Sequence, residues 1–139
     1  MKQAVKLGII GVIGGIILLS LLKIVQVLTG SQAYVLLFNT DYIPLMKDWG
    51  PKDIGGFVFH FVFCIVSVVA LFHILKICHL ERSVCTYFMV YTGGSAVLYI
   101  LTGLTDRPPA ITDAASWTYW TAAHAVYSIT VGFLVKHWV

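Results

Sequence analysis

Four side chains able to exchange protons or hold charge recur at one level of an otherwise apolar sequence: Lys23, His60, Tyr99 and His124. Imidazole is the side chain that titrates nearest neutrality, at about 6.5 when unperturbed. A neighbouring ammonium lowers that value and a carboxylate raises it. His60 lies within the run Gly55–Cys64, GGFVFHFVFC, where no neighbour in sequence can solvate it. Lys23, His60, Tyr99 and His124 together have the chemistry of a proton-responsive or anion-holding site.

The setting in which they would work is lipid. The chain has 139 residues, of which 59% are apolar and only 11% charged, against about a quarter charged in soluble domains. Its net charge of +3 is scattered and flanks apolar runs instead of forming a patch, which argues against a nucleic-acid partner and for anchoring beside a membrane. A helix needs about 20 apolar residues to cross the hydrocarbon core. Four stretches qualify, at residues 7–28, 54–77, 84–104 and 117–135, with a long connection at 29–53. The expected fold is therefore an all-α integral membrane four-helix bundle in one domain. The first run is too long for a signal peptide and lacks a small-residue cleavage pattern, so it reads as a retained helix.

Lys2, Lys6, Lys76, Arg82 and Lys136 fall on one side with Glu81 as the one acid, and Asp41, Asp48, Asp53, Asp106 and Asp113 on the other against Lys47, Lys52 and Arg107. The positive-inside rule then predicts that both the N-terminus and the C-terminus are cytoplasmic. Trp49, Trp117, Trp120 and Trp138 fall near the predicted interfaces. The segment Ala33–Phe38 is too apolar to float in water, so it is expected either as an interfacial or re-entrant segment over the bundle or as a loop packed on the helix ends.

With these boundaries the four residues share a depth. At about 1.5 Å of rise per residue, His60 and His124 lie roughly 9–10 Å, and Lys23 and Tyr99 roughly 7–8 Å, below the outer boundary. Helical spacing sets Gly56, His60, Cys64 and Ser67 on one face of the second span. Thr121, His124 and Ser128 align likewise on the fourth, and Ser95 and Tyr99 on the third. Ser67, Thr121 and Ser128 are read as a supporting polar stripe. Membrane helices also use hydroxyls and histidines as interhelical glue worth about 0.6–2 kcal/mol, and single hydroxyls fit that role as well. No carboxylate lies within a span, so the histidines have no built-in anionic partner there.

Other constellations carry less. His60 and His73, and His124 and His137, resemble the histidine pattern of two-haem membrane cytochromes, but thirteen residues rotate a helix by roughly 220° net and turn each pair apart. A haem between His60 and His124, serving an electron carrier, stays open as an alternative; otherwise no cofactor is expected. Cys78, His79 and Cys85 lack a paired CxxC, so no metal site is expected. Nothing resembles a phosphate loop, a catalytic triad or paired carboxylates, so no catalytic residue is named and a non-enzymatic protein is expected. Gly11 and Gly15 form a GxxxG pair and Gly94 lies in a small patch. All three are expected to let helices pack closely, within the bundle or in a homo-oligomer or with a membrane partner. An accessory or structural subunit is the third functional alternative.

The order of short landmarks resembles the YagU-like family of bacterial inner-membrane proteins. These are the glycine-rich first span ending at Lys23, Lys47–Asp48–Trp49, His60, Gly103–Leu104–Thr105 with Pro108–Pro109, and Ala123–His124. The first outer loop is shorter than in that family, and its proline-rich segment is missing. The resemblance implies a multi-pass protein of the bacterial cytoplasmic membrane linked to acid tolerance, with membrane lipid as its surroundings.

Overall fold

The computed structural model describes residues 2–46 and 52–139. Lys47, Asp48 and Trp49, a landmark of the family resemblance, lie outside the described residues, as does the proline at 51. Among the described residues the chain is all-helical, with no strand. The elements are α1 (Gln3–Thr29), the single turn α2 (Ala33–Leu36), α3 (Lys52–Ile77), α4 (Val84–Leu98) and α5 (Ala114–Trp138). α4 runs on as a 3₁₀ segment, Tyr99–Leu104.

Each boundary has a local cause. Gly30 at φ 74° closes α1, its N–H reaching the Gln26 carbonyl, as the left-handed C-terminal motif requires. α3 ends in the same way on a residue with a side chain, His79 at φ 55°. Its N–H bonds the Lys76 carbonyl, and the next, from Leu80, bonds that of Leu75. Ser83 caps α4 and Asp113 caps α5, each accepting a backbone N–H three residues on, so the first turn of each helix has a donor satisfied.

Three helical stretches, Gln3–Thr29, Ile54–Ile77 and Val84–Leu104, are long and apolar enough to cross a membrane. The expected span at 117–135 does form a helix within α5, which is 25 residues long. It is not among those three. The residues Thr118, Thr121, His124, Ser128 and Thr130 dilute its apolar character.

The long helices pack in the spatial order α3–α1–α5–α4. α1 is the shared member, and its glycines are what let it be shared. A Cβ at Gly11 would lie 2.6 Å from the Ile65 Cα of α3, and one at Gly14 would lie 2.6 Å from the Tyr127 ring of α5. Gly15 sits beneath the Phe61 ring. Gly132 of α5 gives the matching space to Val84 and Tyr87 of α4. α3 and α4 are consecutive in sequence but have scarcely any backbone contact, and a gap is left between them.

One end of the assembly carries the loops 30–46 and 105–113. Ala33–Phe38 packs there on the helix ends as α2 and a following turn, with Ala33, Leu36 and Leu37 buried. Four polar contacts tie this end together. The Arg107 Nε lies 2.9 Å from the Asp41 carboxylate, the Asn39 amide donates to Thr105 Oγ1 at 3.2 Å, and Ser31 and Ser116 hydroxyls pair at 2.7 Å. The buried Tyr99 hydroxyl shares its proton between the carbonyls of Ala110 and Asp113, at 3.1 and 3.2 Å. At the other end the Lys6 ammonium donates to the Trp138 carbonyl at 2.7 Å.

Candidate functional site

The gap between α3 and α4 widens into a cavity of about 380 Å³. Its volume lies in the ~300–1,000 Å³ range of small-molecule sites. His60 of α3 and His124 of α5 both line it, as their shared depth and facing stripes predict. Leu36, Leu37, Tyr42 and Ile43 close it at the loop end. The wall is otherwise aliphatic and aromatic, with Ser67, Ser95 and Cys64 as the small polar exceptions. Among the described residues, no Asp, Glu, Lys or Arg lines it.

The two histidines differ in what they have left to offer. A carbonyl can only accept, so the ring nitrogen facing one must carry the proton. His60 Nε2 lies 3.0 Å from the Gly15 carbonyl and therefore donates to it. Its Nδ1 then keeps the lone pair in the neutral ring and sits 4.0 Å from the Cys64 thiol. Both nitrogens of His60 are thus occupied, and the residue cross-links α3 to α1 where Gly15 lets them approach. His124 Nδ1 donates to the Trp120 carbonyl at 2.8 Å. In the neutral ring this leaves His124 Nε2 as an accepting nitrogen with no hydrogen bond formed. His124 is half-buried and borders the cavity. Its ring packs 4.3 Å from that of Trp120, centroid to centroid.

The neighbouring hydroxyl protons are largely spent. Ser67 donates to the Cys64 carbonyl at 3.0 Å and Ser95 to that of Thr92 at 2.9 Å. The Trp120 indole N–H donates to the Ser95 carbonyl at 3.0 Å. The Tyr127 hydroxyl lies 3.5 Å from Ser67 Oγ, whose own proton is already placed, so tyrosine is the donor in that pair. Tyr91 is the exception, its hydroxyl buried without a hydrogen bond although Ser67 and Tyr127 are near.

Lys23 and Tyr99 do not join the histidines. Lys23 is exposed, bonded to Gln26 Oε1 at 2.8 Å and set 4.8 Å over the Tyr34 ring. Tyr99 serves the loop end, as described above. Of the expected supporting hydroxyls Ser67 reaches the cavity, while Ser128 bonds the Ala125 carbonyl and faces Thr92. Thr121 Oγ1 is buried without a partner and is not in the cavity wall. Gly11 and Gly15 make the expected close packing, but Gly94 does not. A Cβ there would meet nothing within 4 Å, because Gly94 is exposed beside the cavity. His73 and His137, the second members of the two-haem pattern, are exposed. No group of three or more metal-ligating side chains occurs among the described residues, and Cys78 and Cys85 are exposed free thiols.

Sequence reasoning missed Trp120, Tyr127 and Tyr91 as cavity residues. Trp120 and Tyr127 stand four before and three after His124, which places them on its face of the helix. Tyr91 carries no comparable signal, since an aromatic in an apolar span reads as ordinary packing. No family model, curated protein or solved structure matches the chain.

Proposed function

We propose that the chain is a non-enzymatic, acid-responsive membrane protein, a four-helix bundle with both termini cytoplasmic in the bacterial inner membrane, in which His124 is the responding group. The observation that carries this reading is the pair of histidines on one cavity to which the described residues bring no carboxylate, lysine or arginine. A proton taken up at His124 Nε2 turns an acceptor into a donor and sets a positive charge among apolar walls. Among the described residues, the titratable groups that share the cavity with it are His60 and Cys64 of α3, Tyr91 of α4, Tyr127 of α5 and Tyr42 of the loop, while α1 presents none. None is an anion at neutral pH. The charge must then draw in an anion or water, or open the cavity, and any of these converts acidity into a change of shape. With the termini on the cytoplasmic side, the cavity lies in the outer half of the membrane, where external acid reaches it first. A role in acid tolerance follows from that position.

The test keeps Trp120 as the sole tryptophan, with the others replaced by Phe, in lipid nanodiscs. Because the His124 ring packs against that of Trp120, its protonation should quench the indole fluorescence as pH falls from 8 to 3, with a single midpoint that His124→Gln removes. Fluorescence that is flat over this range, or a transition that survives His124→Gln, would overturn the reading.

A haem carrier is the second reading, and one observation favours it. A ring nitrogen left free while its partner nitrogen is anchored to a carbonyl is how metal-binding histidines are set up. Ligation by both histidines would first have to break the bond from His60 to Gly15. Purified protein supplied with haem and lacking a Soret band would exclude it.

A further inference from the structure

We infer that the cavity takes a membrane-dissolved ligand with a flat hydroxylated ring, of the phenol or hydroquinone class, whose hydroxyl donates to His124 Nε2. The inference shares its cavity with the acid-responsive reading but concerns binding at neutral pH.

The direction of entry comes from the packing. α3 and α4 leave a gap along their length, and the residues flanking it are uncovered, with Phe63 51%, Val90 44% and Leu98 46% exposed. All three also line the cavity. Leu36, Leu37, Tyr42 and Ile43 close the loop end, so the mouth faces sideways, into lipid. A ligand that arrives this way must partition into the bilayer.

The chemistry of its head follows from the hydrogen-bond census. Ser67, Ser95, Trp120 and Tyr127 have already donated their protons, the Cys64 thiol faces His60 Nδ1, the Tyr91 hydroxyl is buried, and the Tyr42 hydroxyl belongs to the loop end. The wall around His124 therefore presents lone pairs. A ligand carbonyl beside His124 would face a lone pair with its own, and a donating group is what completes the pairing at Nε2. Aromatic side chains from three helices, Phe59 and Phe63, Tyr91, and Trp120 and Tyr127, form much of the wall. Ring-on-ring contacts favour a planar aromatic head over an aliphatic alcohol.

The experiment uses the full chain in nanodiscs at pH 7.5, with decylhydroquinone, decanol and decylbenzene as probes and Trp120 as the sole tryptophan. Decylhydroquinone should quench Trp120 saturably with its mole fraction in the bilayer. Decylbenzene, which lacks the hydroxyl, should give only the linear quenching of collision. Decanol binding as tightly as decylhydroquinone would overturn the aromatic class. His124→Phe should weaken decylhydroquinone about tenfold, the effect of one lost hydrogen bond. Gly94→Leu fills open space at the mouth without touching the packed faces, so it should keep the fold and abolish saturation. Linear quenching by all three probes, or saturation unchanged in both variants, would overturn the inference. The fluorescence titration of ligand-free protein against pH is a separate readout, so either conclusion can fall without the other.

Discussion

The contact between α1 and α3 can be tested at one carbon atom. Adding a methyl at Gly11 would set it 2.6 Å from the Ile65 Cα and 3.0 Å from the Ile65 nitrogen, whereas carbon pairs rest at about 3.5–4.0 Å. Both obstacles are backbone, so no side chain can swing away, and the helices must part by about 1 Å. Overpacking of this kind costs about 1–3 kcal/mol. Replacing glycine by alanine also favours the helix, by about 0.8–1 kcal/mol in water, and this masks part of the loss. Gly8 supplies the control, because a Cβ there meets nothing within 4 Å. The difference between Gly11→Ala and Gly8→Ala cancels the helix preference and should come to about 1–3 kcal/mol. Reversible unfolding by sodium dodecyl sulfate in mixed micelles, followed by near-ultraviolet circular dichroism, measures it. Equal midpoints for the two variants would refute the packing described for α1.

His60→Leu should lower stability in the same assay by about 1–2 kcal/mol through loss of the bond to Gly15, while His124→Gln should cost less; the reverse order would contradict the division of labour between the two rings. Hydrogen bonds from the Ser116 hydroxyl and backbone N–H hold the Asp113 carboxyl below the usual carboxylate range. Its cap is therefore complete above about pH 4 and is lost as pH falls through the lowered value, so Asp113→Asn should leave neutral stability almost unchanged and remove that acid-dependent loss from the unfolding profile. Arg107→Gln removes a partly exposed ion pair worth about 0.2–1 kcal/mol, and its effect should shrink in high salt; an effect that grows with salt would count against the pair. Cys78 and Cys85, exposed beside the loop from α3 to α4, should react with a membrane-impermeant maleimide only after cells are opened, and labelling in intact cells would reverse the proposed orientation.

Much of the helical layout could be read from where apolar runs stop. Gly30, Arg82 and Asp113 mark boundaries that the caps and turns then realise, whereas α1 begins at Gln3, before Lys6. His60 and His124 were legible as partners because each lies on a polar stripe whose face is defined by several neighbours. Lys23 and Tyr99 share their depth but not their direction. Depth along an axis says nothing about the angle around it, and a lysine near a helix end can reach out along its flexible stem. Tyr99 adds a second difficulty, since it opens the 3₁₀ segment, where each residue turns about 120° where an α-helix turns about 100°. The weak contact between α3 and α4 was hidden for another reason. Neighbours in sequence joined by a short loop usually pack, and only the glycines of α1 and α5 explain why these helices find their closest partners elsewhere.

The order α3–α1–α5–α4 also bears on how the chain is made. When α3 leaves the ribosome its principal neighbour, α1, is already in the bilayer, so this hairpin can close at once. α4 emerges next and finds no comparable surface until α5 has been synthesised, after which the second hairpin docks on the free side of α1. The chain thus divides into two halves at residues 78–83, each containing one complete helix pair. Expressed as separate polypeptides, residues 1–80 and 81–139 should reassemble through the seam between α1 and α5, centred on Gly14 and Tyr127.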